Sequence, residues 1–247
     1  MIRRVVFSTV FVLACGYSLG DGRGEVRGVL DIPDCWTGDF NLNPDFFAAV
    51  PYRNTSLILR IQSGGDYQNF SDGLSILVDD VGVIRGESGG PSLLGTALDV
   101  GLSPNVTPPG VPVVPDPNPP PVHVTLYLQR SCRTQLVALY ALREVSLNES
   151  GECAERTGPA PGCSDASDAG VAAPRGTSQL TFTQVANALP DEPNAAKRLN
   201  EATFDLYLAD PREICPGGFG PPPKCRGHVT GFFKFYYERG RPAQPFP

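Results

Sequence analysis

The residues best able to do chemistry in this chain are one serine, two histidines and a few aspartates. Gly86-Glu87-Ser88-Gly89-Gly90-Pro91 sets a serine among glycines, the Gly-x-Ser-x-Gly spacing that can expose a nucleophilic hydroxyl on a tight turn. Such a serine attacks only when a histidine takes its proton and a carboxylate orients that histidine. The 247 residues contain two histidines, His123 and His228, and both follow the serine. The order serine, aspartate, histidine is met by Ser88, then Asp205 or Asp210, then His228. The tripeptide His-Val-Thr stands at 123–125 and again at 228–230, each time at the head of an expected strand.

The surroundings of Ser88 argue for a turn. A nucleophile elbow needs a strand before the serine and a helix after it, within alternating β/α units. Gly89-Gly-Pro-Ser-Leu-Leu-Gly-Thr96 proposes no helix, and a glycine-rich turn between two strands accounts for the same residues. The segment also resembles the Gly-Asp-Ser-Gly-Gly-Pro of trypsin-like proteases, but in that family the histidine precedes the serine. The expectation is therefore a non-enzymatic domain, with a secreted serine hydrolase using Ser88 as the alternative.

Other polar groups carry weaker signals. Asp66, Asp72, Asp79 and Asp80 are oxygen donors of the kind calcium takes, yet their spacing matches no recognisable loop. Cys225 and His228 lie three apart, a spacing zinc sites use, but no second pair accompanies them. No metal or cofactor is expected. Trp36, Tyr52 and Tyr67 could stack on sugar rings, though Trp36 beside Cys35 is expected to pack on a disulfide. Sequons at Asn54, Asn69, Asn105 and Asn148 matter only in a eukaryotic secretory pathway.

The amino terminus says where the chain goes. Met1-Ile2-Arg3-Arg4 is a short positive start, and Val5–Ala14 is almost wholly apolar, too short to cross a bilayer and suited to a signal peptide. The run ends Val12-Leu13-Ala14-Cys15-Gly16, which resembles the lipobox of bacterial lipoproteins. The resemblance covers only these residues. It implies cleavage before Cys15, lipidation of that cysteine and attachment to membrane lipid. Gly16, where aspartate would imply retention at the inner membrane, implies the outer membrane of the cell envelope. Residues 1–14 are then a signal peptide, 15–25 a glycine-rich tether, and 26–247 a single domain.

The cysteine count fits export. Seven cysteines are odd; with Cys15 set aside six remain, an even number suited to disulfides in an oxidising compartment. Six cysteines allow 15 connectivities. Local spacing suggests Cys153–Cys163 and Cys215–Cys225, each closing a polar loop, with Cys35–Cys132 tying the amino-terminal region to a middle strand.

The elements that must position these groups are strands. With 27 glycines and 26 prolines the chain is rich in turn formers, and its apolar segments are short and alternating. Strands are expected at 26–32, 55–62, 74–78 with 81–84, 93–102, 122–130, 136–147, 179–185, 202–208 and 228–237. Short helical turns are expected at 45–50 and 194–199. The fold class is all-β, an antiparallel β-sandwich with a partly open barrel as the alternative, carrying long Pro/Gly-rich loops. Residues 103–121, proline-rich, are expected as a loop between two adjacent strands. A net charge of −6 without a Lys/Arg cluster excludes nucleic acid as a partner and leaves a protein or carbohydrate ligand.

Overall fold

Side chains that alternate between apolar and polar bury one face of a strand, and two such faces pressed together make this molecule. The computed structural model describes residues 22–64, 71–102, 118–132, 137–153, 174–187, 195–215 and 222–236. In chain order its strands are β1 (Gly22–Ile32), β2 (Trp36–Leu42), β3 (Phe46–Tyr52), β4 (Ser56–Ser63), β5 (Asp72–Val78), β6 (Ala97–Asp99) and β7 (Val122–Leu128). There follow β8 (Val137–Ala141), β9 (Val145–Ser146), β10 (Arg175–Gly176), β11 (Gln179–Gln184), β12 (Leu199–Ala209) and β13 (Gly227–Tyr236). One short α-helix, α1 (Val81–Arg85), interrupts them.

The fold is all-β, antiparallel and sandwich-like. The main sheet runs β2-β1-β13-β12-β8-β7-β5-β4-β3, with β11 added to β12 and β6 to β11. Its first and last members, β2 and β3, are consecutive in the chain and joined by residues 43–45, so the sheet has to fold back on itself. The bend lies where β12 meets β8, a junction held by Leu208↔Ala141 and Ala209↔Tyr140. One layer is thus β2-β1-β13-β12-β11-β6 and the other β8-β7-β5-β4-β3. Val26, Leu30, Phe204, Leu206, Phe233 and Phe235 line the first inner face; Leu59, Ile61, Leu74, Ile76, Val124 and Leu126 line the second, all in one buried cluster. Phe47 of β3 meets Phe235 of β13 across the layers, ring centroids 5.5 Å apart. Each fully buried side chain of this size contributes roughly 1.5–3 kcal/mol before the entropy of ordering the chain is subtracted.

Several local expectations give way to this packing. Residues 22–25, expected in the tether, form the start of β1 and pair with Phe232–Phe235 of β13. Their glycines make room for an aromatic ring: a Cβ on Gly22 would lie 2.3 Å from Phe47, and one on Gly24 3.1 Å. Residues 45–50, expected as a helical turn, lie largely in β3, because seven successive pairings with β4 outweigh local preference. Residues 81–84, expected as a strand, belong to α1. Asp80 starts that helix by accepting from the Val83 N–H at 3.1 Å, and Gly86 ends it at φ 75°. The strand expected over 93–102 contracts to β6, which lies on β11; toward β7 it makes one parallel bridge, Val100↔Val122. β2 was hidden by its turn-like Gly38 and Asp39, and Gly38 does take φ 110°. Of the proline-rich stretch, residues 103–117 lie outside the described residues.

The disulfides also depart from local spacing. Cys35 and Cys132 are joined, 97 residues apart in sequence. Cys153 is bonded to Cys225, 72 residues away, and not to Cys163. That excludes Cys215–Cys225 as well; Cys215 is itself disulfide-bonded. The reason is a small satellite core: Cys153 and Cys225 are buried with Leu142, Val145, Leu147 and Ala209, which brings together segments that the sequence keeps apart. In the chain-entropy account, loops of this size stabilise the fold by about 4–5 kcal/mol each. Cys15 and Cys163 lie outside the described residues.

Candidate functional site

His228 opens β13 on the outer face of the first layer, with Val29 of β1 on one side and Tyr207 of β12 on the other. The Tyr207 ring stacks on the imidazole at 4.1 Å and 7°. Nε2 of His228 meets Asp205 Oδ1 at 2.6 Å. Asp205 and Tyr207 are two apart on one strand and so share a face. Behind Tyr207 lies Gly176 of β10, where a Cβ would come 2.5 Å from the ring; the ring is clamped between bare backbone and imidazole. The backbone N–H of Tyr207 donates to Ser178 Oγ at 2.9 Å, and that hydroxyl donates to the Tyr207 carbonyl at 3.1 Å. Burial, with the Asp205 carboxylate added, raises the Tyr207 phenol above its ordinary pKa.

This arrangement orients an imidazole on an open sheet face. The His228 side chain is 36% exposed, and Val29 beside it is 43% exposed. Further along the same face the layer presents paired charges, Arg27 to Glu25 and, six residues from His228, Lys234 to Glu201 at 3.0 Å. A fixed imidazole with an exposed apolar neighbour offers a surface for hydrogen bonding and contact.

The dyad lacks its serine. Ser88 sits in the exposed turn after α1, its Oγ 2.8 Å from where a Cβ on Gly82 would stand. The loop beyond it is fastened at the other end of β11, where the Gly95 N–H donates to the Phe182 carbonyl. Phe182 faces Ala202, whereas His228 faces Tyr207, five residues further along β12 and on the opposite face. Five residues of strand span about 17 Å. Among the described residues neither histidine hydrogen-bonds to Ser88. Asp210, the other candidate, is used by Arg212, whose Nε lies 2.9 Å and 3.0 Å from its two oxygens.

His123 lies on the outer face of the second layer. Its Nδ1 donates to the Gly101 carbonyl at 2.8 Å, and Nε2 pairs with Asp79 Oδ2 at 2.9 Å. It is 7% exposed. With both nitrogens engaged, this ring is a structural tie between β7, the end of β5 and the segment after β6.

The aspartates considered for calcium are likewise taken. Asp72 accepts from the Arg130 and Ser131 N–H groups at 2.9 and 3.1 Å and from Ser131 Oγ at 2.5 Å, closing the turn after β7. Asp79 holds His123, and Asp80 caps α1. Asp72 and Asp79 stand at opposite ends of β5, about 23 Å apart at the rise of a strand. Asp66 and Tyr67 lie outside the described residues, and among those described no three metal-binding side chains cluster. Trp36 donates through Nε1 to the Asp39 carbonyl at 3.2 Å and packs edge-on to Phe40 at 5.6 Å. The guanidinium of Arg53 lies 5.2 Å from the centre of the Tyr52 ring. Asn148 closes its own turn, accepting from the Glu152 N–H at 2.7 Å, and Asn54 stands in the exposed turn after β3.

Sequence reasoning missed two features. Tyr207 as the partner of His228 could be read only from strand register. Arg60, inside the apolar run Leu57–Ile61, lies on the second layer's outer face, and burial lowers its guanidinium to about 10 despite the opposing pull of Tyr127. Burial also raises Tyr127, and it raises nearby Tyr140 to about 12 with Tyr127 and Asp210 adding to the effect. No protein-family model, no curated protein and no solved structure matches the chain.

Proposed function

We propose that the chain is an exported, lipid-anchored protein of the bacterial cell envelope, held at the outer membrane through Cys15, whose β-sandwich binds a protein or carbohydrate partner without catalysing a reaction. The observation that carries the export half is the state of the cysteines. Cys35, Cys132, Cys153, Cys215 and Cys225, all those described, are disulfide-bonded, as suits a protein matured in an oxidising compartment. Cys15 and Cys163 are then the two left to pair with Cys215. A bridge from Cys163 would leave Cys15 free to carry lipid, as the Leu13-Ala14-Cys15 segment suggests.

Support for the binding half is the face around His228: an imidazole oriented by Asp205 and Tyr207, with Val29 open to contact. The test is metabolic labelling with a radioactive fatty acid, membrane fractionation and protease shaving of cells making the wild type or Cys15→Ser. Label and membrane retention should both be lost in the variant. A Cys15→Ser protein that stays in the membrane removes the anchor from the proposal. A fluorophosphonate adduct that disappears in Ser88→Ala would instead establish the hydrolase reading.

A further inference from the structure

Among the described residues the folded sheet ends at β2 and β3 along its main path, with the short β6 ending its branch, and β2 and β3 are finished differently. β2 carries devices that discourage another strand: the Trp36 indole occupies the Asp39 carbonyl, Gly38 turns the backbone at φ 110°, and Asp39 is an exposed charge. β3, Phe46-Phe-Ala-Ala-Val-Pro-Tyr52, contains no charge. One of its edges pairs with β4 along its whole length, from Phe46↔Gln62 to Tyr52↔Ser56. Among the described residues no strand pairs with the other edge. Pro51, which has no N–H to give, is suited to an edge strand and does not shield the rest of it.

The residues that flank β3 select an occupant. Asp45, whose Oδ1 accepts from the Gly64 N–H at 2.6 Å, and Arg53, which starts the turn after β3 at φ 59°, are both exposed and stand symmetrically about Ala49. Two copies of β3 running antiparallel about a twofold axis at Ala49 would set Ala49 against Ala49, Phe46 against Tyr52, and Asp45 against Arg53 at both ends. Small meets small, aromatic meets aromatic and acid meets base, the pairings that stabilise neighbouring strands. The same operation about Asp39 of β2 would bring two carboxylates together.

We infer that β3 is a self-association edge, at which a second copy of this chain adds its own β3 and continues the β8-β7-β5-β4-β3 layer across a twofold axis. A junction of one strand pair is smaller than a standard stable interface, so the dimer is weak and concentration-dependent. It does not depend on the lipid anchor.

Sedimentation of the full chain carrying Cys15→Ser, which leaves every β3 residue in place, tests this. The expected result is a monomer–dimer equilibrium. Arg53→Glu, which opposes Asp45 with a like charge at both ends, should raise Kd about tenfold. Asp45→Lys combined with Arg53→Glu should restore it to within about threefold of the starting value. Thermal melting of each variant confirms that it is folded. A chain that stays monomeric up to about 1 mM overturns the proposal and leaves the edge to a strand from another protein. So does a dimer whose Kd ignores Arg53→Glu in a folded protein.

Discussion

His123 and His228 begin the same tripeptide, His-Val-Thr, and each has an aspartate on Nε2, at 2.9 Å and 2.6 Å. In other respects they differ. His123 is buried and spends its second nitrogen on the Gly101 carbonyl; His228 lies open on the sheet surface, stacked on Tyr207. Both strands have neighbours on both sides, but the His123 ring also ties a further segment, at Gly101, to its sheet. The start of the His228 strand is fixed by covalent chemistry three residues earlier, at Cys225. Identical residues therefore become a buried structural tie in one place and an exposed surface pair in the other. Burial makes the difference: a polar group out of water must be fully satisfied, whereas one on the surface can leave a donor or acceptor for a ligand.

The strongest way to break the contrast is to unfasten the His228 side. Cys153→Ala with Cys225→Ala should lower stability by about 4 kcal/mol, read from denaturant unfolding, because it frees a long loop in the unfolded chain. His123→Ala should follow at about 2–4 kcal/mol, since it leaves the Asp79 carboxylate and the Gly101 carbonyl without their partner and opens a cavity. Gly176→Val should come next, at about 1–3 kcal/mol, by driving a side chain into the Tyr207 ring. Its signature is a shift in the His228 ring resonances, while those of His123 stay put.

A smaller effect separates the layers by pH. Tyr140 is held neutral up to about 12, against an ordinary value of 10.0. The folded state thus binds this proton more tightly than the unfolded state does. That stabilisation is fully present below pH 10 and is lost as the pH rises towards 12. Melting temperature should fall across that interval, and Tyr140→Phe should flatten the fall. Smallest of all, His228→Ala should change stability by less than about 1 kcal/mol, as expected for an exposed pair. A loss comparable with that of His123→Ala would mean that the surface dyad is structural too.

Much of the fold was legible because alternation is a local signal. Leu57-Ile-Leu-Arg-Ile61, Val122–Leu128 and Phe204–Leu208 show their inner and outer faces in the sequence, and all three are strands of the sandwich. Less of the candidate site was legible. The sequence offered Asp205 and His228 as partners for Ser88; the first two meet, but β11 and β12 keep the serine at a distance. Tyr207 could not be chosen over other aromatics, because cross-strand neighbours depend on register. The error at Cys153 had the same origin: short loops are the cheapest to close, yet burial in the satellite core selected the longer pairing.

The sequence by itself determined the class of the molecule: turn-rich, alternating segments that can bury only one face. Only the tertiary structure decided which strands are neighbours, which cysteines meet and which of two identical tripeptides faces water. The physical reason is that alternation and composition act over a few residues. Register, disulfide partners and burial are set by contacts between segments tens of residues apart, and those form only when the two layers close on a common core.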